Sequence, residues 1–275
     1  MIRKLLFGGF LILVLFCNCE SEKKTSTIIT ENVVDQSAVD SPYKMEFSAD
    51  DFSPGSSAQI LGCHGYIMIQ GGSAYINGQL RKRGDIIVIQ DTTNIIALEN
   101  GSSMWRWLVC DVNNPQGYLN SAVSIPKPKD LNIPSGASQM ESLIKITERI
   151  QPLSEYAVNG EVVIRMEQLS LLPGQIINTV RRGGPTMTVL VSGDLKVQTP
   201  ENEDKLYDPG DYVFESMEGA VNFVTYEASE LLCVSVLPGG SQGQLIELPP
   251  LISKSTGASK GSQKIIMEKV VRLSP

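Results

Sequence analysis

Histidine is almost missing from this chain: His64 is the one copy in 275 residues. A transition-metal centre that needs several imidazoles cannot be assembled from it, so no metal or other cofactor is expected. Clustered positive charge is scarce as well. The net charge is -7, and the basic runs are limited to Arg81-Lys82-Arg83 and Arg181-Arg182, which leaves nucleic acid without a phosphate-tracking surface. Long apolar runs are also absent, since the stretch from Leu5 to Cys17 falls short of the about 20 residues that a membrane-crossing helix needs. No Ser-His-Asp set, phosphate loop or distinctive carboxylate pair stands out. What is abundant is turn chemistry: 24 glycines and 15 prolines separate short runs rich in Val and Ile, and 42% of the residues are hydrophobic. That texture predicts a folded, all-β protein and excludes disorder of the whole chain.

The short apolar run has its own reading. Arg3 and Lys4 precede it, and Glu20 to Lys24 follow it as a polar exit, which is the layout of a secretory signal over residues 1–18. The junction Leu15-Phe16-Cys17-Asn18-Cys19 resembles a bacterial lipobox. That resemblance implies acylation of Cys19 and a lipid-anchored protein of the bacterial cell envelope; the alternative is ordinary cleavage and a soluble secreted protein. Beyond the anchor, Cys63, Cys110 and Cys233 remain. Their odd number argues against a disulfide framework, and each lies in an apolar run where a buried thiol is the ordinary reading. A Cys63–Cys110 bridge within one β-unit stays open, because spacing does not supply the geometry.

Residues 19–44 read as a solvated tether. A repeat follows. Ser53-Pro54-Gly55, Tyr66 to Gly71, Gly84-Asp85 and Trp105 to Val112 return in the same order as Leu172-Pro173-Gly174, Thr188 to Gly193, Gly210-Asp211 and Leu231 to Leu237. Two copies of one β-unit are implied, over residues 45–115 and 161–240. The connector, 116–160, is expected to hold one short helix, since Ser138 and Glu141 form a capping-box pattern, Met140, Leu143, Ile144 and Ile150 fall near one helical face, and Pro152 closes it. Residues 241–275 read as an extension in which Ile265 to Leu273 could add a strand.

The second copy resembles a cupin, the double-stranded β-helix of the jelly-roll class, so the chain as a whole is similar to a tandem bicupin. Gly174, Val180, Arg182, Thr186 and Gly193 keep the spacing of the family's first motif, with its metal ligands replaced. Gly210-Asp211 through Gly219 to Asn222 resembles the second motif, with Asn222 near the third ligand position. In the first copy, His64 falls at the family's glutamate position, and Gly84-Asp85 followed by Asn94 repeats the second motif. The resemblance carries fold rather than activity. Glycines explain why: Gly71 and Gly193 are expected at tight turns, and Gly84 and Gly210 before new strands.

It further implies that Arg182 points into the second barrel, where its charge needs a carboxylate, a phosphate or a ligand. With Val180, Thr186 and Asn222 it forms a candidate pocket for a small anionic or sugar-like molecule. A one-residue slip in register would instead put Arg182 in solvent. His64, even with Cys63 or Asp85, reads as a packed or exposed side chain. Trp105 and Trp107 share one strand face, with core packing the default and a carbohydrate platform the alternative. The leading functional expectation is a membrane-tethered, non-catalytic bicupin that binds a small ligand or an envelope protein, with homodimerisation as a family trait. A metal-independent isomerase or lyase using Arg182, Thr186, Asn222 and Tyr212 or Glu215 is the second, and a purely structural envelope component the third.

Overall fold

The computed structural model of the chain describes residues 27–34, 43–89, 92–112, 140–178, 183–198, 204–215, 222–245, 251–253, 257–259 and 261–273. Strands dominate, as the short alternating runs dictate. After β1 (Thr27–Val34), the first copy comprises β2 (Tyr43–Phe52), β3 (Ser57–Leu61), β4 (Cys63–Ile76), β5 (Gln79–Lys82), β6 (Ile86–Val88), β7 (Thr92–Asp111) and β8 (Met140–Ile150). A 3-10 turn at Leu153–Tyr156 leads into the second copy. That copy begins with β9 (Glu161–Leu171), β10 (Ile176–Asn178), β11 (Thr186–Ser192), β12 (Leu195–Gln198) and β13 (Asp204–Tyr207). It continues with β14 (Tyr212–Glu215), β15 (Asn222–Val224), β16 (Ser229–Pro238), β17 (Leu251–Ser253), β18 (Gly257–Ser259) and β19 (Ser262–Leu273). Among the described residues no helix is long and apolar enough to cross a membrane.

The first copy is a seven-stranded sheet in the order β5-β4-β7-β2-β8, with β3 and β6 added at β7 and β4. It curls around an apolar interior that includes Phe52, Ile60, Ile67, Ile95, Met104 and Leu108. In the second copy a six-stranded sheet, β1-β19-β9-β16-β11-β14, faces a four-stranded one, β10-β15-β12-β13. Leu169, Leu190 and Leu231 from the first of these meet Ile177, Val197 and Phe223 from the second, the two-sheet packing of a jelly roll. The order β4-β7-β2-β8 is repeated as β11-β16-β9-β19.

Period-2 alternation lets each main sheet serve two cores. On β2, Tyr43, Met45 and Phe47 point away from their own barrel; on β9, Val162, Ile164 and Met166 do the same. They meet in a third apolar cluster, which also takes in Trp107, Val109, Met187 and Val234 and joins the barrels. Trp105 and Trp107 stand edge to face with ring centroids 6.1 Å apart, and Phe47 packs 5.2 Å from Trp107. The pair is therefore core, not a carbohydrate platform. Two polar ties cross the same region: the Tyr66 hydroxyl donates to the Ile164 carbonyl at 2.6 Å, and the Lys269 ammonium to the Ile89 carbonyl at 2.8 Å.

Turns repeat down to the individual hydrogen bond. Pro54-Gly55 and Pro173-Gly174 form matching turns with Gly φ of 76° and 78°, closed by Ser56 N–H to Ser53 O and Gln175 N–H to Leu172 O at 3.0 Å each. Proline fixes the first central position and glycine alone tolerates the second. In Gly84-Asp85 and Gly210-Asp211, the carboxylate accepts the backbone N–H three residues earlier, Lys82 or Asp208, at 2.9 Å in both.

Three sequence expectations are corrected. The segment read as a connector helix is β8, antiparallel to β2, because Ile146, Glu148 and Ile150 alternate inward against exposed Lys145, Thr147 and Arg149 and so obey a period of 2. Residues 27–34, read as tether, form β1, parallel to β19. The strand allowed for at Ile265 to Leu273 is β19, which lies inside its sheet between β1 and β9. Gly71, expected at a tight turn, sits instead at a bulge within continuous β4. Cys63 and Cys110 are directly opposite each other on β4 and β7, with Cα atoms 4.5 Å apart, and form a disulfide; Cys233 is the buried free thiol. The odd cysteine count thus hid one bridge.

Candidate functional site

Of the four pocket residues expected in the second barrel, Val180 and Arg182 lie outside the described residues, as does Cys19. Thr186 does point inward on β11, opposite Glu215 and Ser235. Its hydroxyl is 2.8 Å from that of Ser235. Two residues on, Thr188 donates to Glu215 Oε1 at 3.2 Å and lies 3.4 Å from Cys233 Sγ. Glu167 accepts from Gln263 at 2.6 Å. Arg165 donates to Glu268 at 2.7 Å and to the Gln244 carbonyl at 2.6 Å, with a further bond to the Ser241 carbonyl. All these inward groups on β9, β11, β14 and β16 are buried. They use one another, as polar groups removed from water must.

Asn222 does not join them. Phe223 occupies the interior position on β15, so strand alternation places Asn222 on the other face, in the row it shares with Asn178 and Gln198. Tyr212 packs against the inter-barrel cluster, away from Glu215. A neutral hydroxyl already bonded to Ser235 and an amide on the opposite face do not fit a transition metal, and among the described residues no three His, Cys, Asp or Glu side chains cluster to hold one. His64 is buried opposite Val109; its neighbour Cys63 is consumed by the disulfide, and Asp85 by its turn.

In the first barrel the inward face of β2 carries Lys44, Glu46, Ser48 and Asp50, all buried. Asp50 pairs with Arg106 and accepts from Ser48 at 3.1 Å and Ser142 at 2.6 Å. Glu46 is 3.6 Å from the Lys44 ammonium and 3.4 Å from that of Lys145. Among the described residues Arg106 is thereby paired with Asp50, and Lys44 and Lys145 with Glu46.

Beyond Asp50, where β2 ends and β8 begins, the rim opens into a cleft of about 670 Å³. Asp51, Phe52 and Ser53 at the end of β2 and Met140 and Glu141 at the start of β8 line it side by side. The floor is the crossing of β4 and β7 at Gly71, Gly72 and Gly101, with Asn100, Ser102 and Ser103 alongside. Glycine is required there: a Cβ on Gly72 would lie 2.2 Å from the Gly101 carbonyl oxygen, and one on Gly101 2.6 Å from that of Phe52. Asp51 and Glu141 are direct cross-strand partners. Partial burial, then Glu141 and then Asp50, raise the Asp51 pKa above the ordinary carboxylate value. Sequence reasoning missed this site because Asp51 and Glu141 are brought together only by β8, a segment with helical spacing. The signals available were the Asp50-Asp51 pair and the glycine-serine run Asn100-Gly-Ser-Ser103.

No family model matches the chain, and no curated protein matches it in sequence. Solved structures do resemble it. A salicylate 1,2-dioxygenase variant from Pseudoaminobacter salicylatoxidans is 13% identical over 70% of each chain, with a TM-score of 0.43. A cupin 2 conserved barrel domain protein from Leptotrichia buccalis is 12% identical over 70% of this chain and 84% of its own, at 0.42. An oxalate decarboxylase variant from Bacillus subtilis is 13% identical over 72% and 73%, at 0.41. These likenesses concern fold, and no site or activity passes from them to this chain. Its own doubled strand order, matched glycine turns and inward-facing apolar cores make it two jelly-roll barrels in tandem.

Proposed function

We propose that this protein is a membrane-tethered, non-catalytic bicupin of the bacterial cell envelope that binds a small molecule in the rim cleft of its first barrel. The cleft carries the reading: it combines concavity with convergent polar groups from Asp51, Asn100, Ser102, Ser103 and Glu141, which are ingredients of a small-molecule site. The inward groups of the second barrel instead spend their hydrogen bonds on each other, so the anion pocket first expected around Thr186 has less support. Export is supported by the signal-like residues 1–18 and by the Cys63–Cys110 disulfide, a bond that persists in oxidising compartments. Tethering rests on the Cys19 junction.

Two measurements test it. Cys19→Ala should move the protein from the membrane fraction to the soluble one, and no redistribution with no lipid on the wild type would refute the anchor. For the cleft, melting of the mature protein across a panel of sugars, amino sugars and sugar acids should reveal a ligand-induced shift. Ser103→Trp, which fills the cleft, should abolish that shift; a shift that survives places the ligand elsewhere.

A further inference from the structure

We infer that the ligand of the rim cleft carries a positive charge, seated as a protonated amine between Asp51 and Glu141; this rests on the cleft being the binding site. Two carboxylates directly opposite one another across neighbouring strands repel, and sheets ordinarily avoid the arrangement. Here it is kept at a concave site. The cations further along these strands do not relieve it, because Arg106 is held by Asp50 and Lys145 by Glu46. Among the described residues neither Asp51 nor Glu141 has an ion pair. Burial first, and then the Glu141 and Asp50 carboxylates, raise the proton affinity of Asp51 in the same direction. A cleft walled by one sign of charge concentrates counter-charged solutes.

The remaining walls narrow the class. Ser53, Ser102, Ser103 and Asn100 offer hydroxyl and amide groups to a hydroxylated ligand, while the half-buried Met140 offers a small apolar surface. Amino sugars and hydroxylated amines fit this combination. Sugar acids do not, because a third carboxylate would be added to the pair.

Calorimetric titration of the mature protein at low salt with glucosamine, glucose, glucuronate and calcium separates the outcomes. Glucosamine should bind at least fivefold more tightly than glucose, and glucuronate more weakly than either. Asp51→Asn and Glu141→Gln should each weaken glucosamine severalfold and narrow its preference over glucose, and 0.5 M salt should erase that preference. Equal binding of glucose and glucosamine, both abolished by Ser103→Trp, would overturn the charge inference and leave the cleft standing. Preference for calcium or glucuronate overturns it as well. Saturable binding that Ser103→Trp does not touch, or none at all, overturns the cleft itself.

Discussion

Breaking the Cys63–Cys110 bridge gives a sharp test of the first barrel. The two residues are 47 apart in sequence, so the bond closes a long loop through β4, β5, β6 and β7. The chain-entropy relation for a loop of that size gives about 4 kcal/mol of stabilisation through the unfolded state. Both sulfur atoms are buried among apolar neighbours that include Leu108, so replacing them with alanine adds a small packing loss of about 1 kcal/mol. In a chain of this size, 4 kcal/mol corresponds to a fall in Tm of roughly 10 °C. Urea unfolding should therefore be followed for the oxidised wild type, the reduced wild type and the Cys63→Ala/Cys110→Ala variant, with thiol titration establishing each redox state. The reduced protein and the variant should unfold at similar, lower urea concentrations, and Cys233→Ala should respond to reductant as the wild type does. Coincident curves for oxidised and reduced wild type, with the thiols accounted for, would refute the argument.

Trp107→Ala empties the centre of the inter-barrel cluster and should cost about 3–5 kcal/mol, read as a lower midpoint in the same urea assay. A second expectation concerns pH. The raised pKa of Asp51 means that its contribution to stability is full below the ordinary carboxylate pKa and is lost as pH rises through the folded-state value. Asp51→Asn should accordingly be more stable than wild type at neutral pH by a few tenths of a kcal/mol, the scale of an exposed like-charge contact. That advantage should vanish on acidification; a gain that persists at low pH would point to a cause other than the Glu141 contact.

The doubled fold was legible because its signals are local. A Pro-Gly pair or a Gly-Asp pair sets a turn by backbone geometry alone, and both recur in order in each copy. Alternation of Tyr43, Met45 and Phe47 likewise announces a strand within a few residues. The misreadings have one root. In β8, Met140, Leu143 and Ile144 mimic a helical face because a bulge opposite Ala49 and Asp50 shifts the alternation midway. Without β8, Asp51 and Glu141 remain 90 positions apart with nothing to join them, so the cleft could not be foreseen. Sheet neighbours chosen by tertiary pairing, such as β1 beside β19, leave no comparable trace in sequence. Of the family-like positions, Thr186 lies on the inward face of β11 and Asn222 on the face of β15 opposite Phe223, while Val180 and Arg182 lie outside the described residues.

The cluster that joins the barrels also says something about how such a chain could arise. A solitary copy would expose Tyr66, Phe47 and Trp107, or Met187 and Val234, as an open apolar face. Such a unit would be soluble only by pairing with a second, and its assembly would depend on concentration. Joining two copies in one polypeptide makes that encounter intramolecular, so each barrel finds its counterpart at an effective concentration set by the connector, whatever the amount of protein present. The copies were then released from the demand of being identical, and one rim could acquire an acidic cleft while the opposite interior filled with hydrogen bonds. Any association between whole chains has to use some other surface, since the one best suited to self-recognition is spent within the molecule.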